Sequence, residues 1–191
     1  MSERSLPVAV VVGPGGLRVA QLVSMMKFRP LLVLGQKPSR RRLRHFMGVS
    51  TIHARPGELP LQDASVELVV IAGGLGAVAP LSVGLSRLVR VLKPGGALVA
   101  ITPEPSALHT KLWMASTSFL FRKKNPALEP EQITGAFLQA GLSSIAQDKF
   151  GGILPLVITL GHATRASAAI AGYFSPAALS VAHSTNEAQS I

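Results

Sequence analysis

Five histidines and nine Asp/Glu carboxylates are the groups of this 191-residue chain best suited to moving a proton near neutral pH. His45, His53, His109, His162 and His183 show neither His-x-x-His nor His-Glu-x-x-His spacing, so no metal-ligand set is spelled out. Cysteine is absent, which excludes thiolate catalysis, disulfides and thiolate metal sites. No Gly-x-Ser-x-Gly elbow and no Walker loop occurs. The pair best placed for general-base chemistry is His109 with Glu104, and His53 is a second histidine expected near the same edge of a sheet. A structural or solvent-facing histidine is the default reading for each. Two other groupings concern binding. Lys37, Arg40, Arg41, Arg42 and Arg44, with Arg55 further on, can pair with phosphates. Trp113, Phe119 and Phe121 supply apolar anchors for a partner or, on the plainer reading, fill a core.

The elements that must position these groups alternate between strand and helix. Val8–Val12 (VAVVV) is a buried strand followed by the turn Gly13-Pro14-Gly15-Gly16 and a helix over Leu17–Lys27, broken by Arg29-Pro30. Leu31–Leu34 is the second strand, Ser39–Phe46 a basic helix capped by Ser39, and Val49–His53 the third strand. Ser65–Ala72 (SVELVVIA) reads as a strand buried in a sheet. Pro80 opens a helix with Leu81, Leu85, Leu88 and Leu92 on one stripe. Lys93-Pro94-Gly95-Gly96 should stop that helix and turn the chain into a strand over Ala97–Thr102, completing a right-handed βαβ unit. After the apolar run Pro103–Lys124 come a helix over Leu128–Gly141 and two strands, Ser143–Lys149 and Ile153–Leu160, turned at Gly151-Gly152. The expected division is one α/β domain over residues 1–162 and a partly helical or loose extension over residues 163–191.

LPLQDASVELVV followed by RLVRVLKPGGALVAITP resembles class I methyltransferases that use S-adenosylmethionine (SAM), closest to those acting on quinones, sterols and other small molecules. The helix EPEQITGAFLQAGL is similar to the penultimate helix of that family. The resemblance implies a Rossmann-like, seven-stranded, mostly parallel sheet with the last strand antiparallel, and a cofactor at the carboxyl ends of the first strands. The first strand begins near the start of this sequence, so the family's N-terminal lid helices are expected to be lacking.

The resemblance also shows departures at the positions that bind the cofactor. The glycine turn keeps Gly13 and Gly15, with Gly16 reached by sliding the register, but Val11 stands at an acidic position and Leu17 at the third glycine. Gln36 stands at or beside the carboxylate that holds the ribose hydroxyls. It can hydrogen-bond to them without charge assistance. Arg55 stands where an acid meets the adenine amino group, and an arginine has no acceptor. Glu58, three residues later, reads as a turn glutamate. The Phe-Asp pair of the fourth strand becomes Val66-Glu67, and the loop after that strand, Ala72–Val78, is small and apolar.

Charge is uneven. The net charge is +10, and residues 1–57 hold ten Lys/Arg against one acid, Glu3. Such a field favours an anionic partner: an acidic protein face, nucleic acid or lipid headgroups. No apolar stretch suits a membrane span and no signal peptide is recognisable, so a cytoplasmic protein is expected.

The reading these departures favour is a non-catalytic, degenerate methyltransferase-like protein, without a cofactor, that works in protein interaction, self-association or assembly. The enzyme alternative is a divergent methyltransferase for a small apolar substrate, with SAM held mainly by backbone at Gly13, Gly15 and Gly16 beside Gln36 and Arg55. Methyl transfer can proceed by positioning alone. A third alternative is nucleic-acid binding through the basic N-terminal half. An NADP-like ligand, its phosphate met by Arg40–Arg42, is a weaker variant.

Overall fold

Three hydrogen-bonded central strands made almost wholly of valine, leucine, isoleucine and alanine set the architecture. β1 (Val8–Val12), β2 (Arg29–Leu34) and β4 (Val66–Ala72) lie side by side in parallel, and four of the five β1 residues are buried. Strands buried on both faces need no polar alternation, and these sequences have little. The computed structural model describes residues 6–13, 15–34, 49–55, 58–78, 80–104, 128–151 and 155–164. Outward from the centre come β3 (Ser50–His53), β5 (Leu92–Pro103), β6 (Leu142–Phe150) and β7 (Leu156–Ala163). The seven-stranded order is β3-β2-β1-β4-β5-β7-β6, with β7 antiparallel to both neighbours. This is the class I methyltransferase arrangement that the sequence implied.

Among the described residues three helices cover the sheet. α1 (Gly16–Met25) lies on one face, where Ala20 and Val23 meet Ala9, Val11, Leu32 and Val70. α2 (Leu81–Val91) and α3 (Pro130–Gln139) lie on the other, with Leu85, Leu88, Val89, Ile133 and Phe137 packed on Val10, Val69, Ile71, Leu98 and Ala100. α3 begins where its sequence can satisfy the free amides. Glu129 and Gln132 form a capping box, and Pro130 occupies the first turn. A short 3-10 turn, Leu75–Val78, joins β4 to α2.

The boundaries differ from the expected ones at one instructive place. Leu92 leaves the α2 stripe and opens β5, and the Lys93–Gly96 turn is absorbed into that strand. Pairing jumps from Val66↔Leu92 to Leu68↔Ala97, so the extra β5 residues bulge out. Gly95 supplies the required left-handed backbone, with φ of +81°. α3 also begins at Pro130 and β7 at Leu156, each later than the pattern suggested.

The basic helix expected over Ser39–Phe46, Gln36, Lys37, His109, Trp113, Phe119, Phe121, and most of the 163–191 extension lie outside the described residues.

Candidate functional site

In open parallel sheets the natural ligand site lies beyond the carboxyl ends of the strands, where the chain direction of successive connections diverges. Here that edge is formed by the exits of β1, β2, β3 and β4. Gly13 leaves β1 with φ of +106°, and a Cβ on it would sit 2.3 Å from the Ala72 carbonyl oxygen at the end of β4. Only glycine fits this approach. The Gly15 amide then donates to that same Ala72 oxygen at 3.4 Å, and the Gly16 amide donates to the Gly13 oxygen at 3.0 Å. The glycine turn is thus pinned across the end of β4.

Leu17, which stands at the third glycine position, is half-buried against the cluster between α1 and the sheet. It therefore contributes to the α1 packing. Beyond β4 the Gly73 and Gly74 amides both donate to the Ile101 carbonyl oxygen at 3.1 Å. A Cβ at Gly74 would meet no atom within 4 Å, so open space borders the turn. Leu75 and Val78 are buried beneath it.

The charged residues of this edge are more exposed. Arg55 and Glu58, which follow β3, form a loose ion pair at 3.9 Å with side chains 81% and 58% exposed. The Glu58 amide donates to the Arg55 oxygen, making the turn that the sequence suggested. His53 ends the outermost parallel strand and is exposed. Glu104, at the end of β5, accepts a hydrogen bond from Lys149 Nζ of β6 at 3.1 Å. That partner was not foreseen, because 45 residues separate the two and neither carries a local motif.

Glu67 has a different place from these groups. It sits at the amino end of β4, where one carboxylate oxygen accepts from the Val8 amide at 2.7 Å and the other from Lys93 Nζ at 2.5 Å. Burial pushes its pKa up, but the hydrogen bonds from Lys93 and Val8 and the Lys93 charge outweigh that and hold it below 4.5. Its role is to tie β1, β4 and the β5 bulge together. Nearby, Arg90 of α2 pairs with Asp63 and donates to the Leu59 oxygen, fastening the segment between β3 and β4.

The strand order and this edge define the molecule as a methyltransferase-type α/β domain. A sequence model for the methyltransferase domain matches residues 21–100. A demethylmenaquinone methyltransferase of Staphylococcus aureus is 31% identical over 124 residues, covering 54% of this chain and 52% of the relative. Another, from Clavibacter sepedonicus, is 45% identical over 60 residues, 31% of this chain and 24% of the relative. The chain thus spans about half the length, or less, of these curated relatives. Among solved structures, a Haloferax volcanii complex between the Trm112 methyltransferase activator and a methyltransferase is similar, with a TM-score of 0.68 and 18% identity over 83% of each chain. A SAM-dependent methyltransferase from Thermotoga maritima gives a TM-score of 0.62 and 18% identity, covering 82% and 81% of the two chains. The chain thus shares the class I methyltransferase fold and, over part of its length, resembles SAM-dependent methyltransferases in sequence.

The cofactor that the resemblance implies can be tested against the described residues. The glycine turn and the open side of Gly74 fit it in backbone shape, and Glu58 is a carboxylate at the same edge. Arg55 contributes no acceptor there.

Proposed function

We propose that this chain is a divergent SAM-binding methyltransferase for a small, apolar, quinone-like acceptor. The observation that carries this reading is its 31% identity over 124 residues to demethylmenaquinone methyltransferases. The character of the edge supports it as well. Ala72–Val78, which borders the glycine turn, contains no ionisable residue, so a ligand meeting this loop encounters small and apolar groups. Gly13, Gly15 and Gly16 would hold the cofactor by close backbone approach, with Glu58 offering a hydroxyl or amine acceptor. SAM, when bound, supplies an electrophilic methyl group. The chain's own contribution is then to orient an acceptor and exclude water, which requires little acid–base machinery. Glu104, at the end of β5, is held by Lys149, so taking up a proton from an acceptor hydroxyl there would weaken that pairing. The working compartment in this reading is the cytoplasm.

A second reading, a protein that retains the scaffold for interaction or assembly, is favoured by one specific residue. Arg55 reverses the charge at the position the family resemblance gives to an acid, and its exposed side chain, only loosely paired with Glu58, can reach an anionic partner. Titration calorimetry with SAM and with S-adenosylhomocysteine separates the two. Micromolar affinity at one site per chain supports the enzyme. No heat and no thermal stabilisation at millimolar ligand would overturn it in favour of the second reading.

A further inference from the structure

α1 has two apolar sides. Gly16, Ala20 and Val23 are buried against the sheet, while Leu22, Met25 and Met26 on the outer side are 59%, 80% and 67% exposed. Positions i, i+3 and i+4 lie on one stripe of a helix, so these three side chains form a continuous patch. Leu6, 54% exposed, belongs to the segment that runs into the same end of the sheet, because the Arg29 amide donates to the Pro7 oxygen at 2.8 Å. Arg18, one helical turn before Leu22, and Lys27 and Arg29, which follow the helix in sequence, are exposed. Lys27 turns the chain out of the helix with φ of +62°. From Leu6 to Leu34 the sequence holds no Asp or Glu. Glu67, which reaches this edge through the Val8 amide, is occupied by Lys93.

We propose that the outer face of α1, Leu22, Met25 and Met26 together with Arg18, Lys27 and Arg29, docks on an anionic lipid bilayer. Apolar side chains on one stripe with cations beside them are what an interfacial helix requires. A second copy of the chain is a poor occupant, because two faces of the same positive sign repel. The direction of α1 makes the bilayer a productive occupant. The helix starts at the glycine turn and, at ten residues, runs about 15 Å along the sheet. Laid in the interface plane, it keeps the Gly13–Gly16 edge beside the headgroups, where an apolar acceptor dissolved in the bilayer reaches it sideways. The docking itself depends on neither SAM nor acceptor, so its failure and the failure of the methyltransferase reading are separable.

The test is co-sedimentation of the full chain with vesicles of phosphatidylcholine alone and of phosphatidylcholine mixed with phosphatidylglycerol. Binding is expected to the mixed vesicles and to fall steeply with salt. Replacing Arg18→Gln, Lys27→Asn and Arg29→Gln together should weaken it on the order of a hundredfold, about fivefold per cation. Leu22→Gln, Met25→Gln and Met26→Gln together should weaken it about tenfold or more and abolish what survives high salt. All six positions are exposed, and an unchanged melting temperature verifies that both variants fold. Equal binding to neutral vesicles, no binding to mixed ones, or full binding by either variant would overturn the proposal. So would a concentration-dependent dimer that the Leu22, Met25 and Met26 changes dissolve, which would assign the face to a second copy.

Discussion

The two ends of the parallel strands are built in opposite ways. At the amino edge, charges are spent on structure: Glu67 joins Val8 to Lys93, Arg90 holds Asp63 and Leu59, and the Ala64 and Ser65 amides donate to the Arg90 and Val91 oxygens. At the carboxyl edge, cohesion comes from backbone and glycine, while Arg55, Glu58 and His53 project into solvent. The contrast teaches where ligand chemistry is affordable. Groups that already close a network cannot be redirected to a ligand without loss of stability, whereas exposed groups over a pinned backbone can.

The sharpest break of this contrast is Gly13→Ala, which strikes the backbone cohesion of the carboxyl edge. With Ala72 in the way and φ of +106°, it should destabilise the fold by about 3 kcal/mol, read as a lower urea midpoint. Next comes Glu67→Ala, expected to cost about 1–3 kcal/mol by orphaning the Val8 amide, with SAM affinity unchanged. The pH dependence follows from the same group. Its folded-state pKa lies below 4.5, so its contribution is complete above that value and is lost as pH falls through the lower folded one. Acid unfolding of Glu67→Gln should therefore show a weaker pH dependence in that window. Arg55→Asp should leave the melting temperature unchanged and tighten SAM about tenfold, because a carboxylate restores a charge-assisted acceptor. The smallest effect is expected for Glu58→Gln: unchanged stability and a few-fold weaker SAM binding by calorimetry.

Much of the fold was legible because its signals are local. Val8–Val12 and the leucine spacing of α2 declare a strand and a helix within a few residues, and the Lys93–Gly96 turn marks where one ends. What escaped depends on distant partners or on a choice between equivalents. Glu67 reads as a leftover charge until Val8, 59 residues away, is brought beneath it. Arg90 and Asp63 are likewise joined only by the crossing of α2 over the sheet. In α1 the sequence presents Ala20 and Val23 on one side and Leu22, Met25 and Met26 on another, and periodicity alone does not say which side is buried. Leu17 posed the same difficulty: its bulk was visible, its direction toward the second cluster was not. At the candidate site, the sequence marked out Gly13, Gly15, Gly16 and Arg55 and read Glu58 as a turn residue, whereas the Lys149 contact to Glu104 required β6 to return to the outer edge of the sheet.

The bulge that opens β5 also acts as a phase setter for the whole strand. Five steps from Leu92 to Ala97 answer two from Val66 to Leu68, and beyond that point Leu98 and Ala100 fall toward α2 and α3 while Val99 and Ile101 fall toward the α1 side. Because alternate residues face opposite ways, deleting one residue from Lys93–Gly96 while keeping the pairing end fixed would exchange the two sets. The bulge is also closely bounded: a Cβ at Gly96 would lie 2.8 Å from the Lys93 oxygen and 3.0 Å from that of Glu67. Length at this turn is therefore constrained together with its glycine, and a one-residue change between the helix and its strand would swap the residues packed under α1 with those packed under α2 and α3.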